Sequence, residues 1–128
     1  MSRHSIEAAT FGHSNPIPCA SRIGPLLMSS IIGPMTPGST HVPEDVSEQI
    51  ENLFIHVEAI LTAAGGTWAD VIKMNFFVAS LDLRAAINSP WVERFPDVGH
   101  RPARHSQLTS MAGVGKVQCD VTAYILAG

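Results

Sequence analysis

Charge is scarce in this chain. Only 15% of its 128 residues are Asp, Glu, Lys or Arg, eight basic against eleven acidic, for a net charge of −3. A nucleic-acid footprint needs clustered Lys and Arg, so this balance argues against nucleic acid as a partner. Cysteine is nearly absent: Cys19 and Cys119 alone cannot build a disulfide framework. No apolar run approaches the roughly 20 residues of a membrane span. The segment Met1-Ser2-Arg3-His4-Ser5-Ile6-Glu7 also lacks the apolar core of a signal peptide. A cytoplasmic protein without a membrane partner is expected. The six histidines show no metal-ligand spacing, and His100 and His105 have no third ligand nearby, so no metal site is expected.

What the chain does have is apolar content, 45% of residues. That suffices for one core, and a single domain over residues 1–128 is expected. Low charge also suggests that part of the surface is covered by another copy, because interface cores are depleted in charge.

Residues 5–10 suggest a short edge strand. Cys19–Ile23 and Leu26–Ile32 read as two strands around Gly24-Pro25, the second apolar enough to be central and covered on both faces. A loop rich in Gly and Pro follows (residues 33–39). Pro43 is placed to open a helix, with Glu44 and Asp45 at its positive end. Val46, Ile50, Leu53, Phe54, Val57, Ile60, Leu61 and Ala64 form one apolar stripe, ended by Gly65-Gly66. Thr67 to Asp70 reads as a capped turn. Val71–Ala79 reads as a strand with Ile72, Met74, Phe76 and Val78 on one face and Lys73, Asn75 and Phe77 on the other. Ser80 is placed to cap a second helix that Ser89-Pro90 interrupts.

Two runs close the chain. Arg101-Pro102-Ala103-Arg104-His105-Ser106 can start a strand just after Pro102. Lys116 to Ile125 alternates strictly, with Val117, Cys119, Val121, Ala123 and Ile125 on one side. Cys119 is thus most simply a small buried hydrophobe. The Gly113-Val114-Gly115 loop between the runs reads as a hairpin turn. Centring it on Gly113 pairs residues whose numbers sum to about 226. Ser106 would then oppose Asp120 and Arg104 would oppose Thr122, with Arg104 diagonal to Asp120 on one face. Such a group can bind a small carboxylate and manage a proton; it can equally be a cross-strand ion pair on a solvated face. The order β-β-β-α-β-α-β-β predicts an α+β fold, a mixed sheet with two helices on one face and the other face open to a partner.

Arg101-Pro102-Ala103-Arg104-His105-Ser106 resembles the Pro-Ala-Arg-Ser signature of the RidA (YjgF) family of small enamine/imine deaminases, with His105 set between Arg and Ser. Asn15-Pro16-Ile17-Pro18, Ala63-Ala64-Gly65, Asp70-Val71-Ile72-Lys73 and Asn88 match as well. The resemblance implies a chorismate-mutase-like fold, a homotrimer with ligand clefts between subunits, and no metal or organic cofactor. It implies hydrolysis of 2-aminoacrylate-type imines to ammonia and a 2-keto acid. Arg104 would grip the substrate carboxylate, and Asp120 would activate water and deliver a proton. Ser30, Ile31, Asn88, Trp91, Ser106 and Cys19 are the expected substrate contacts. Trp91 could instead belong to the core, and Asn88 could be an ordinary helix-end residue. The chain departs from the family where Asp120 replaces the usual Glu, where Cys19 replaces an aromatic, and where Ser30-Ile31-Ile32 replaces Ser-Gly-Gln. These departures leave a second reading: a non-catalytic small-anion-binding trimer.

Overall fold

The computed structural model describes residues 1–126. The elements follow the expected order: β1 (Arg3–Ile6), β2 (Ala20–Ile23), β3 (Leu26–Ser29), α1 (Val46–Ala63), β4 (Val71–Val78), α2 (Leu83–Arg94), β5 (Ala103–Leu108) and β6 (Val117–Tyr124). The six strands form one mixed sheet in the order β1-β2-β3-β6-β4-β5. The core is the helix-facing side of this sheet, where Leu27, Met74, Phe76, Val78, Val117, Cys119 and Ala123 lie under Phe54, Leu53 and Ile60 of α1 and Ile87 and Trp91 of α2. Cys119 is fully buried, as its alternation requires, and burial pushes its thiol pKa well up.

Helix α1 starts three residues later than Pro43 suggests. Asp45 is its cap, and its carboxylate accepts from the Ser47 N–H at 2.9 Å. The other end closes as a Schellman turn. Gly65 takes φ +79°, the Gly66 N–H donates to Leu61 O at 2.8 Å, and the Gly65 N–H to Thr62 O at 3.1 Å. Arg22 reaches from β2 to donate to Ala64 O and, at 3.0 Å, to Ile125 O, tying both segment ends to the sheet. Helix α2 runs through Pro90 without a break, and its cap position is Asp82 rather than Ser80.

Two strand readings need correction. In β4 the register shifts between Val71 and Lys73, so Val71 is buried and Ile72 turns outward, 48% exposed. Strand β3 is covered on one face only: Leu27 is buried, while Leu26 and Met28 are 44% and 57% exposed. With Ile23 and Tyr124 they form an apolar stretch on the open face, since Ile23 pairs with Leu26 and Leu26 with Tyr124.

The predicted β5–β6 hairpin is absent. Strand β5 runs parallel to β4 at the sheet edge, and β6 pairs antiparallel with the other side of β4 and with β3. The connection at residues 109–116 is not a tight turn but a stride across the end of β4. Thr109 N–H donates to Val78 O at 2.8 Å, and Ala79 N–H donates to Lys116 O at 2.9 Å. β4-α2-β5 is thereby a crossover unit, the connection that parallel neighbours require.

Candidate functional site

With β4 interposed, the register moves every proposed contact. Arg104 shares a row with Met74 and Val121, and Ser106 with Phe76 and Cys119. These rows face the helices. Asp120 shares its row with Asn75 and His105, which faces the open side. The expected shared face of Arg104 and Asp120 is therefore overturned: the two side chains leave opposite faces of the sheet. The cross-strand ion pair that was the alternative is absent for the same reason.

Arg104 is built into a frame on the helix side. Its Nη1 donates to Asn88 Oδ1 and its Nη2 to Arg84 O, each at 2.9 Å, both acceptors on α2. The guanidinium carbon lies 5.3 Å from the Trp91 ring centre and 5.6 Å from that of Phe76. Cation–π contact and the fork to α2 fix the group in one orientation. Among the described residues Arg104 makes no ion pair. Partial burial lowers its pKa, and the neighbouring Arg84 charge lowers it further. A half-buried cation beside a second cation, with N–H groups left over after two are used, is a place where an anion is stabilised.

Around this frame the expected contacts separate. Asn88 and Trp91 join Arg104 within one chain. Trp91 is only 6% exposed and packs edge-on against Phe95 at 4.7 Å, so it serves its own core. Ser106 lies half-buried on the same strand and face, two residues along. Ser30 and Ile31 sit elsewhere, at the end of β3 beside β6. Three residues lie between Met28 and Ile32 where two lie between their partners Thr122 and Cys119, which defines a bulge. There the Val121 N–H donates to Ser29 Oγ at 2.9 Å, and Ser30 Oγ donates to Pro18 O at 2.8 Å. Ile31 is 37% exposed. Cys19 is fully buried and its thiol donates weakly to Phe11 O at 3.5 Å, which leaves it no surface to offer a ligand. Burial raises its pKa, with Glu7 adding to the effect.

Asp120 accepts a hydrogen bond from Asn75 Nδ2 at 2.7 Å. Sequence reasoning missed Asn75 and Arg84. Asn75 carried a partial signal, being a polar residue on the less apolar side of its strand, but its place beside Asp120 depends on the β4–β6 pairing; Arg84 acts through its carbonyl and charge, which no motif marks. Among the described residues, no three His, Cys, Asp or Glu side chains gather into a metal site, and no helix is long and apolar enough to cross a membrane.

This architecture and the Arg104 frame define a small α+β chain with a fixed guanidinium at one edge of its sheet. Residues 15–125 match the family model described as Endoribonuclease L-PSP, and the chain belongs to that family, the RidA/YjgF proteins. It is 34% identical over 84 residues to a RutC family protein of Haemophilus influenzae, covering 64% of this chain and 65% of that one. It is 32% identical over 75 residues to Escherichia coli TdcF, a protein provisionally named a reactive intermediate deaminase, covering 59% of this chain and 58% of that one. The chain thus spans less than two thirds of the length of these relatives. Among solved structures, Escherichia coli TdcF with bound serine superposes with a TM-score of 0.84 at 26% identity, covering 94% of this chain and 98% of that one. Yeast Mmf1 superposes with a TM-score of 0.86 at 22% identity over 97% and 99% of the two chains, which shows the shared fold.

Proposed function

We propose that this chain is a hydrolytic deaminase of small carboxylate-bearing imines of the 2-aminoacrylate type, releasing a 2-keto acid and ammonia. The observation that carries this reading is the Arg104 guanidinium, fixed on α2 and without an ion-pair partner among the described residues. It would take the substrate carboxylate through its remaining N–H groups. The enamine tautomerises to the imine; water then adds to the C=N carbon, giving its proton to Asp120. Asp120 passes that proton to the imine nitrogen, giving the neutral carbinolamine. Its hydroxyl proton then moves through Asp120 to the amine as C=O forms and C–N breaks, so ammonia leaves and Asp120 ends as the carboxylate it began as. No metal or organic cofactor enters this scheme.

Arg104 and Asp120 lie on opposite faces of one sheet, so a small substrate can touch both only if they come from different copies. We therefore place the site between subunits of a homotrimer, with Arg104 of one copy facing Asp120 and the Ser30-Ile31 bulge of the next. The apolar open face formed by Ile23, Leu26, Met28 and Tyr124 supports such an assembly. A nuclease role fits poorly with a net charge of −3.

The test is ammonia release while a second enzyme generates 2-aminoacrylate. The protein is expected to accelerate it, and Arg104→Ala to reduce the acceleration at least a hundredfold, roughly 2.7 kcal/mol or more of lost transition-state stabilisation. Absence of acceleration with several such substrates overturns the enzyme reading. The shortened Asp120 favours the second reading, an anion-binding trimer without turnover. Its mark is Arg104-dependent thermal stabilisation by 2-keto acids with no catalysis.

A further inference from the structure

The open face carries a row of polar side chains across three adjacent strands: His105 on β5, Asn75 on β4 and Asp120 on β6. Lys73 occupies the next row, opposite Thr122. Only one side-chain hydrogen bond joins members of the row among the described residues, and it goes to the candidate catalytic carboxylate: Asn75 Nδ2 donates to Asp120 Oδ1 at 2.7 Å. On the other flank of Asp120 the sheet is bulged, because the Val121 N–H is taken by Ser29 Oγ. Asp120 therefore stands half-buried at the edge of an opening in the ladder, steered from the β4 side by one amide.

A carboxylate on a short side chain rotates about two bonds, and a proton acceptor displaced by about 1 Å loses much of its effect. An amide donor on the neighbouring strand restricts that freedom by holding one oxygen, and the second has no hydrogen-bond donor among the described residues. We propose that Asn75 is a positioning residue for Asp120, holding Oδ1 so that Oδ2 is presented to the attacking water. The inference rests on the deaminase reading and adds to it the residue that orients its acid–base group. It also gives a reason why an Asp, a methylene shorter than the family's usual Glu, can serve here: the strand beside it supplies the constraint.

The test separates this role from the reading beneath it. In ¹⁵N spectra of the intact assembly, the Asn75 side-chain amide is expected to show a hydrogen-bonded signal that is lost in Asp120→Ala; this readout needs no turnover. In imine hydrolysis Asn75→Ala is expected to lower kcat about tenfold or more with KM within about twofold. Asn75→Thr, which keeps a donor and suits a strand, is expected to recover part of the loss. Adding Asn75→Ala to Asp120→Asn is expected to cost nothing further, because the two act as a unit. If the wild-type protein hydrolyses no imine, the deaminase reading fails while the amide signal still decides whether Asn75 holds Asp120. An amide signal indifferent to Asp120→Ala, a rise in KM alone, or losses that multiply in the double variant would each overturn the proposal.

Discussion

At the scale of single residues the sequence marks chemistry better than it marks partnership. Arg104 stands out because its motif resembles a family signature, and the structure gives it a frame no motif describes: Asn88, the Arg84 carbonyl and two aromatic rings. His56 shows the converse. It reads as a polar residue beside an apolar stripe, yet it has no solvent exposure and both ring nitrogens are engaged, Nδ1 with Thr10 Oγ1 and Nε2 with Met35 O, each at 2.7 Å. A carbonyl can only accept, so Nε2 carries the proton and Nδ1 accepts from the Thr10 hydroxyl. Burial lowers the His56 pKa, and the Met35 carbonyl opposes this in part. The unfolded chain then binds the proton more readily than the folded one. The stability His56 confers is intact above its unfolded pKa of about 6.5 and declines as pH falls through that value toward the lower folded one. The melting temperature is expected to drop more steeply between pH 7 and pH 5 in the wild type than in His56→Gln. Equal slopes would show that His56 does not titrate as a buried neutral base.

Among the elements, α1 is the most legible, because an eight-residue stripe and two glycines say both where it lies and where it ends. Gly65 is the sharper of its two ends. At φ +79° it needs the left-handed region, and a Cβ there would meet nothing within 4 Å, so its requirement is conformational and not steric. Gly65→Ala is expected to cost about 1 kcal/mol and lower the melting temperature by a few degrees. Gly65→Asn should cost less, since Asn enters that region more easily; equal losses would mean the Schellman turn is not what Gly65 supplies. The strands were legible as strands but not in their pairing. Period-two alternation states which side of β6 is buried and is silent about its neighbours. The length of the connection at residues 109–116 held the discriminating information, being long enough to pass the end of β4. Ile72 was misassigned because the shift between Val71 and Lys73 adds a residue that no alternation pattern contains. The Arg104–Asp120 face failed through the same missing strand: inserting β4 changes the row, and one row exchanges the sides.

For the whole molecule, that exchange turns an intrachain site into a question about assembly. Leu26, Met28, Ile23 and Tyr124 leave 44–57% of their surface exposed on the face that also carries Asp120, while Arg104 emerges behind the edge strand β5. A ring of copies in which each edge meets the next open face would bury that apolar surface and bring the two charges together. Complementation distinguishes this from any single-chain site. Arg104→Ala and Asp120→Asn are each expected alone to keep about a hundredth of the activity or less. Co-assembled at equal ratio, half the subunits retain Arg104 and half retain Asp120, so about one quarter of the inter-subunit sites regain both. Activity near that fraction of wild type is the expected result, and it should vanish when the two substitutions are placed in the same chain and mixed with neither parent. No recovery in mixed assemblies, with subunit mixing verified by mass, would mean that no site joins Arg104 of one copy to Asp120 of another, and on opposite sides of one sheet they have no other way to meet.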